Sequence, residues 1–287
     1  MNKYVIITDS AADLTLEECK ALSVERIDLF LTVEGTAPVL QREVDVKDFY
    51  SQLRAKKGAK TAAMNLDDFI KAVEPILAEG KDVLYLGFSS GLSSTYQSAR
   101  LGAEELSSKY PERKIYTVDT LCASRGQGLF VHLVANKQKE GATIEEARDY
   151  AEGLKLNLCH EFTVDDLFFL KRGGRVSAAT AIVGTALGIK PVMHVDNAGH
   201  LVKVGIARGR RASIKALFDK MKEKAVSPET QTMYICHGDC EEDAKYLRDM
   251  IMEAGLAAEV IIGYTGTVIG AHSGPGTLAL FYVGTER

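Results

Sequence analysis

Two α/β domains are the fold class that the sequence predicts. An N-terminal doubly wound, mostly parallel sheet is expected over residues 1–160, and a second α/β domain with a mixed sheet over residues 161–287. Three observations carry this reading. Apolar runs of strand length alternate with amphipathic helical periodicity through about residue 160, the pattern of βαβ units. Polar clusters directly follow those runs, where open parallel sheets receive ligands. Beyond that point a basic glycine turn, a small-residue helix and a hairpin precede one more strand–helix pair.

Tyr4-Val5-Ile6-Ile7-Thr8 is a continuous apolar strand ending at Asp9-Ser10-Ala11. Thr15 and Glu18 have capping-box spacing for a short helix through Leu22. The alternation Ile27, Leu29, Leu31, Val33 predicts one strand with one covered face. Asp45 caps a helix carrying Phe49 and Leu53, which Gly58 ends. Lys60 to Met64 reads as a linking loop before Asn65 caps a helix with Leu66, Phe69, Ile70, Val73 and Leu77 on one face. Pro75 inside it predicts a kink or an early break.

Val83 to Phe88 is a buried strand, followed by a hydroxyl-rich loop, Ser89 to Thr95. Tyr96, Ala99, Ala103, Leu106 and Tyr110 then share a helical face, and Ser94 with Gln97 has capping-box spacing. Lys114 to Val118 is a strand ending at Asp119-Thr120. Gly126 to Lys139 and Ile144 to Leu158 read as helices, the second boxed by Thr143 and Glu146. In the second part, strand-like Phe162-Thr163-Val164 leads through Asp165–Leu170 to Lys171-Arg172-Gly173-Gly174-Arg175. A helix from Ser177 to Leu187 follows. Ile189–Val195 and Leu201–Ile206 form a hairpin turning at Asn197-Ala198-Gly199. Arg208-Gly209-Arg210-Arg211 opens a helix; Thr232–Cys236, a helix to Ala254 and Glu259–Gly263 complete a second unit. The stretch Gly263 to Val283 is glycine-rich, and its Ala271-His272-Ser273-Gly274-Pro275-Gly276 reads as a rigid loop.

Hydrophobic content of 46% and charged content of 26% in 287 residues are those of a soluble globular protein. A net charge of −4 argues against a nucleic-acid binder. No apolar run is long enough to span a membrane and no signal peptide is read, so the cytoplasm is the expected location. Five scattered cysteines point to reduced thiols. Cys236-His237-Gly238-Asp239-Cys240 lacks zinc spacing and a second pair, and a strand-end turn is the preferred reading.

The helix start beyond Ser89–Thr95 offers free N–H groups and a partial positive charge, so this corner is suited to an anion. Gly87-Phe88-Ser89-Ser90-Gly91 also matches a nucleophile elbow, with Asp239 and His272 downstream as triad partners for a serine hydrolase. Against that, the helix signal lies several residues after Ser89, and no glycine-run oxyanion loop precedes it. In Lys171–Arg175 the glycines permit close backbone approach, and Arg172 and Arg175 can fork onto phosphate or carboxylate. The same residues also suit a tight turn with solvated charges. Lys190, Lys203, Arg208, Arg210 and Arg211 would add to this basic region in a compact domain. A nucleotide-binding regulator has only glycine loops in its favour, without G-x-G-x-x-G after the first strand.

Together these motifs resemble the DegV family, the fatty-acid-binding subunits of bacterial fatty acid kinases. The likeness spans nearly the whole chain. Thr8-Asp9-Ser10, the loop Phe88–Ala99, Leu170–Val176, Gly188-Ile189-Lys190-Pro191 and Gly270–Gly276 match family signatures in order. The resemblance implies a long-chain, palmitate-like fatty acid buried between two domains, with no cofactor. It implies a carboxylate held by Thr61, Ser93 and His272, with Ser94 beside them. A separate ATP-dependent kinase subunit would phosphorylate that carboxylate to an acyl phosphate for phospholipid metabolism, and transient membrane contact is left open. By position, Arg172, Arg175, Arg208 and Arg210 are candidates for phosphate or kinase docking. Two departures stand out: Thr61-Ala62-Ala63-Met64 replaces T-S-x-P, and Ser94 replaces a usual glycine.

A buried carboxylate needs hydroxyl and imidazole partners. The tail needs an apolar tunnel, for which Leu167, Phe168, Phe169, Ala181, Ile182, Ala186 and Leu187 are candidate lining. The small residues Ala178, Ala179, Ala181, Gly184 and Ala186 would leave room for a chain. Without a Walker A sequence, the chain is expected to hold the acceptor and to catalyse nothing alone.

Overall fold

The structure, a computed structural model, describes residues 4–177 and 188–287. β1 (Tyr4–Asp9) is almost wholly buried, and the Asp9 carboxylate accepts from Ala11 N to start a short turn. Thr15 and Glu18 form the expected capping box on α1 (Leu16–Leu22). The single strand predicted through Val33 is in fact two. β2 (Val24–Ile27) pairs in parallel with β1, and the chain then turns away into β3 (Phe30–Val33). Ser10 marks the corner, its hydroxyl accepting from Leu29 N at 2.9 Å.

β3 joins β4 (Val39–Leu40) and β5 (Ala59–Ala62) in a small antiparallel sheet. The supposed linker is therefore a strand, with Thr61 opposite Leu31. Too few apolar residues mark it as one. α2 (Val46–Arg54), capped by Asp45, buries Phe49, Tyr50 and Leu53 against this sheet. It ends before Gly58, with Lys56 rather than a glycine at positive φ. α3 (Leu66–Ala78) runs through Pro75 unbroken, since a proline in the last turn forfeits only one backbone bond.

β6 (Asp82–Gly87), α4 (Thr95–Lys109), β7 (Ile115–Asp119), α5 (Arg125–Lys139) and α6 (Ile144–Leu154) follow, and the parallel sheet is ordered β2-β1-β6-β7. No Ser94–Gln97 capping box forms: Ser94 has φ −76° and ψ 0°, and its side chain makes no cap bond. α6 stops at Leu154 because Leu158 opens β8 (Leu158–Thr163), buried at every position.

The second sheet is mixed, as expected. After α7 (Phe168–Arg172) come β9 (Ile189–Val195), β10 (Leu201–Arg208), α8 (Arg210–Lys224), β11 (Thr232–His237), α9 (Glu241–Glu253), β12 (Glu259–Tyr264), α10 (Thr267–Ser273) and β13 (Leu278–Val283). The order is β10-β9-β8-β13-β11-β12, and β11–β12 is its parallel pair. The hairpin turns where predicted, with Gly199 at φ 78°. The glycine-rich end is a short helix and a strand, so His272 stands in the last turn of α10 rather than in a loop. Cys236–Cys240 is the end of β11 and its turn, and no metal-binding group occurs among the described residues. From Ala178 on, the predicted helix to Leu187 lies outside the described residues, and with it Ala178, Ala179, Ala181, Ile182, Gly184, Ala186 and Leu187.

The two sheets share one core. Leu129, Phe130 and Val134 of α5 pack with Phe162, Tyr234 and Phe281 of the second sheet. Gly126 permits this approach: a Cβ there would lie 2.3 Å from His160 Nε2 and 2.7 Å from Phe281. Elsewhere the loop after β6 docks on the hairpin, with Ser89 Oγ donating to Gly199 O at 2.9 Å. Tyr50 makes a third tie, its hydroxyl donating to Thr265 O at 2.8 Å in a buried setting. Tyr50→Phe should therefore lower stability by roughly 1–3 kcal/mol, read as a lower urea midpoint with an unchanged m-value.

Candidate ligand-binding site

Between the two sheets lies a cavity with ≈ 960 Å³ of space unfilled by atoms, counted out through its mouth. Its walls are mostly apolar, including Leu29, Phe88, Leu92, Phe162, Val268 and Phe281. Thr61, Ser93, Ser94 and His272 line it together, drawn from β5, the loop before α4, and α10. A second, open cleft is lined by Lys60, Arg172, Gly173 and Arg175, and it shares Thr61, Arg175 and His272 with the first. These three residues form the wall between an apolar interior and a basic exterior.

Each polar group on that wall is held by a specific contact. Thr61 Oγ1 lies 2.8 Å from His272 Nε2. Ser93 Oγ accepts from Thr95 N at 3.2 Å and lies 2.9 Å from Thr95 Oγ1. Thr95, fully buried, in turn accepts from Met64 N at 3.3 Å, which ties the loop to the segment leaving β5. Arg175 Nε donates to Leu92 O at 3.1 Å, and its Nη1 donates to Gly173 O. Arg172, exposed, lies over the Phe168 and Phe169 rings at 5.8 and 5.0 Å.

The His272 imidazole is held neutral. Burial, and then the nearby Arg175 and Arg172 guanidiniums, lower its pKa from 6.5 to about 4. Its Nδ1 is buried without a hydrogen-bond partner. The first glycine of the basic turn explains how the ring fits: a Cβ on Gly173 would lie 2.3 Å from Nδ1. Gly174 takes φ 72° and makes the turn itself. Of the glycine pair, one thus makes room for the histidine ring and the other forms the turn.

Other candidates are dispersed. Ser89 is fully buried and its hydroxyl is committed to Gly199 O. Asp239 pairs with Arg54 at 3.0 Å, and His272 pairs with Thr61, so no Ser89–His272–Asp239 triad exists and the hydrolase reading falls. Arg210 turns to Asp243 at 2.9 Å and Asp165 at 3.8 Å, and Lys190 also bonds Asp165. Arg208 is exposed at the end of β10 and lines neither cavity. Of the tunnel candidates Leu167, Phe168 and Phe169, none lines the cavity; Leu170 does. Thr95 and Gly173 were missed as supports: one reads as a helix start, the other as half of a turn.

A family model described as "Uncharacterised protein, DegV family" matches residues 3–285. The chain belongs to the DegV family. A DegV domain-containing protein of Clostridium perfringens is 43% identical, covering 100% of this chain and 99% of its own. One from Streptococcus pyogenes is 32% identical, covering 98% of each. Among solved structures, a DegV family protein from Thermus thermophilus, described by its fatty acid binding, is 30% identical over 98% of this chain and 99% of its own, with a TM-score of 0.89. The Thermotoga maritima protein TM841, described as revealing a fatty acid binding function, is 29% identical over 99% and 100%, with a TM-score of 0.83.

Two outcomes follow for this DegV chain. Gly173→Ala should displace the His272 ring and break its 2.8 Å contact with Thr61, visible as a shifted imidazole resonance while the fold is retained. The second concerns pH. Unfolding releases His272 to its ordinary pKa of 6.5 from about 4, so the unfolded chain binds the extra proton between those values. Stability contributed by the neutral ring is complete above pH 6.5 and is lost as pH falls towards 4. The ligand-free wild type should therefore lose more stability from pH 7 to pH 4 than His272→Gln does, compared by denaturant midpoints.

Proposed function

We propose that this DegV protein binds one long-chain fatty acid and presents its carboxylate, intact, to a separate ATP-dependent kinase subunit in the cytoplasm. The carboxylate sits against Thr61, Ser93, Ser94 and His272, and the acyl tail fills the apolar cavity. The observation that carries this reading is the shared wall: hydroxyls and an imidazole stand where a greasy interior meets a basic, open cleft. The fatty acid binding described for the Thermus and Thermotoga relatives supports it.

The chemistry is consistent with each group's state. A carboxylate brought under the surface needs donors: Ser93 can supply one O–H, and the Thr61–His272 pair, which spends one proton on its own 2.8 Å contact, can supply one more. Arg175 and Arg172 add positive charge without a direct ion pair. The tail contributes about 0.8 kcal/mol for each CH₂ it buries, enough to retain the ligand through purification. In the transfer step a carboxylate oxygen attacks the γ-phosphorus of ATP, the new O–P bond forms, the bond to the β-phosphate oxygen breaks, and ADP leaves. Positioning and charge neutralisation are what such a step needs from the acceptor protein. Arg172 and Arg175, lining the cleft, are placed to meet the phosphate or the kinase, whereas Arg210 is committed to Asp243 and Asp165.

Mass spectrometry of the purified chain should find a long-chain fatty acid in near-equal amount, released on denaturation. With the kinase subunit and ATP, Ser93→Ala and His272→Ala should each lower acyl phosphate formation at least about tenfold, the loss of one to two hydrogen bonds to a charged group. A chain that never carries or takes up fatty acid overturns the reading. Transfer unchanged in both variants removes the site assignment.

A further inference from the structure

The polar side chains lining the inner cavity are nearly all committed to protein partners. Ser124 Oγ donates to Asp13 Oδ2 at 2.5 Å, and Thr265 Oγ1 donates to Cys236 Sγ at 3.1 Å. Thr277 Oγ1 donates to Gly274 O at 2.8 Å. His160 accepts from Ala123 N through Nε2 and donates to Leu158 O through Nδ1. Ser273 differs. It lines the same cavity and is 6% exposed, yet its Oγ has no hydrogen-bond partner. It also forgoes the bond to the carbonyl four residues back that a helical serine commonly makes. An unpaired buried hydroxyl costs stability wherever nothing arrives to satisfy it.

We propose that Ser273 is a second recognition point of the cavity, and that the preferred ligand is a long-chain fatty acid bearing a hydroxyl in the half of its chain nearer the carboxylate. The inference rests on the fatty-acid reading above and refines its substrate class. Ser273 follows His272 directly in α10, their Cα atoms about 3.8 Å apart. With the carboxylate at His272, Ser273 therefore meets the carboxylate-proximal carbons and not the methyl end. A hydroxyl there can pair with Ser273 Oγ as donor or acceptor, whereas a plain methylene leaves Ser273 unpaired. A site holding an unpaired polar group discriminates against the ligand that cannot pair it.

The test is competitive displacement of a fluorescent fatty acid from the delipidated full chain by palmitate, 3-hydroxypalmitate, stearate and 12-hydroxystearate. Wild type should bind 3-hydroxypalmitate about tenfold more tightly than palmitate, and 12-hydroxystearate no better than stearate. Ser273→Ala should erase that preference while palmitate affinity holds or rises. Equal affinity for palmitate and 3-hydroxypalmitate in wild type, as when an ordered water alone satisfies Ser273, overturns the inference and leaves fatty-acid binding standing. So does a preference that survives Ser273→Ala, or one for the distal hydroxyl. Failure of all four acids to bind overturns both readings. The wild-type comparison decides without the variant, should Ser273→Ala fail to fold.

Discussion

An apolar cavity between two sheets is a packing debt: every atom lining it lacks neighbours on one side. The molecule accommodates that deficit by tying the sheets together around the hollow. α5 shares a core with β8, β11 and β13, which Gly126 allows to close against His160 and Phe281. Ser89 and Gly91 clamp the loop after β6 to the hairpin turn, and a Cβ on Gly91 would lie 2.6 Å from Ala198 O. Tyr50 joins the small sheet's helix to the chain entering α10. Filling the hollow with an acyl chain would restore the missing contacts, so ligand and fold are expected to stabilise one another.

The polarity of the hollow runs in one direction. Phe162, Val195 and Phe281 face the interior, whereas Lys60 and Arg172 face the outer cleft. His272 stands at the change, and its neutrality follows from that position: water is scarce on one side and guanidiniums lie on the other. An imidazolium there would face two positive neighbours, so the ring acts through hydrogen bonds, with net charge left to Arg175 and Arg172. For a carboxylate bound there as proposed, that division would preserve its nucleophilicity, since hydroxyl and neutral N–H donors neutralise it less than a direct salt bridge would.

The sheets and most helix starts were legible because they rest on local rules. Thr15–Glu18, Asn65–Asp68 and Thr143–Glu146 all form capping boxes. Two local readings fail, the Ser94–Gln97 box and the break at Pro75; the other failures are tertiary. β5 has alternating half-buried and exposed residues with little apolar content, and it is a strand only because β3 lies beside it. α10 hid behind glycines, one of which, Gly270, is needed for close packing: a Cβ there would lie 2.5 Å from the Tyr50 hydroxyl. Thr61, Ser93 and His272 could be named from motif likeness, but nothing local foretells that residues 211 positions apart, Thr61 and His272, would touch.

The departures from the family pattern are also settled by backbone geometry rather than by residue type. Ser94, where glycine is usual, has φ −76°, a conformation open to any L-residue. Its side chain is exposed and makes no cap bond, so the added Cβ imposes no backbone strain. Ala62 and Ala63 line the cavity as small apolar groups, Ala62 at the place of the motif's hydroxyl, while buried Met64 takes the place of its proline. The burden of ordering Ser93 then falls on Thr95, whose hydroxyl meets both Ser93 and Met64 N. One buried threonine thereby links the loop that carries Ser93 to the segment leaving β5, the strand that carries Thr61.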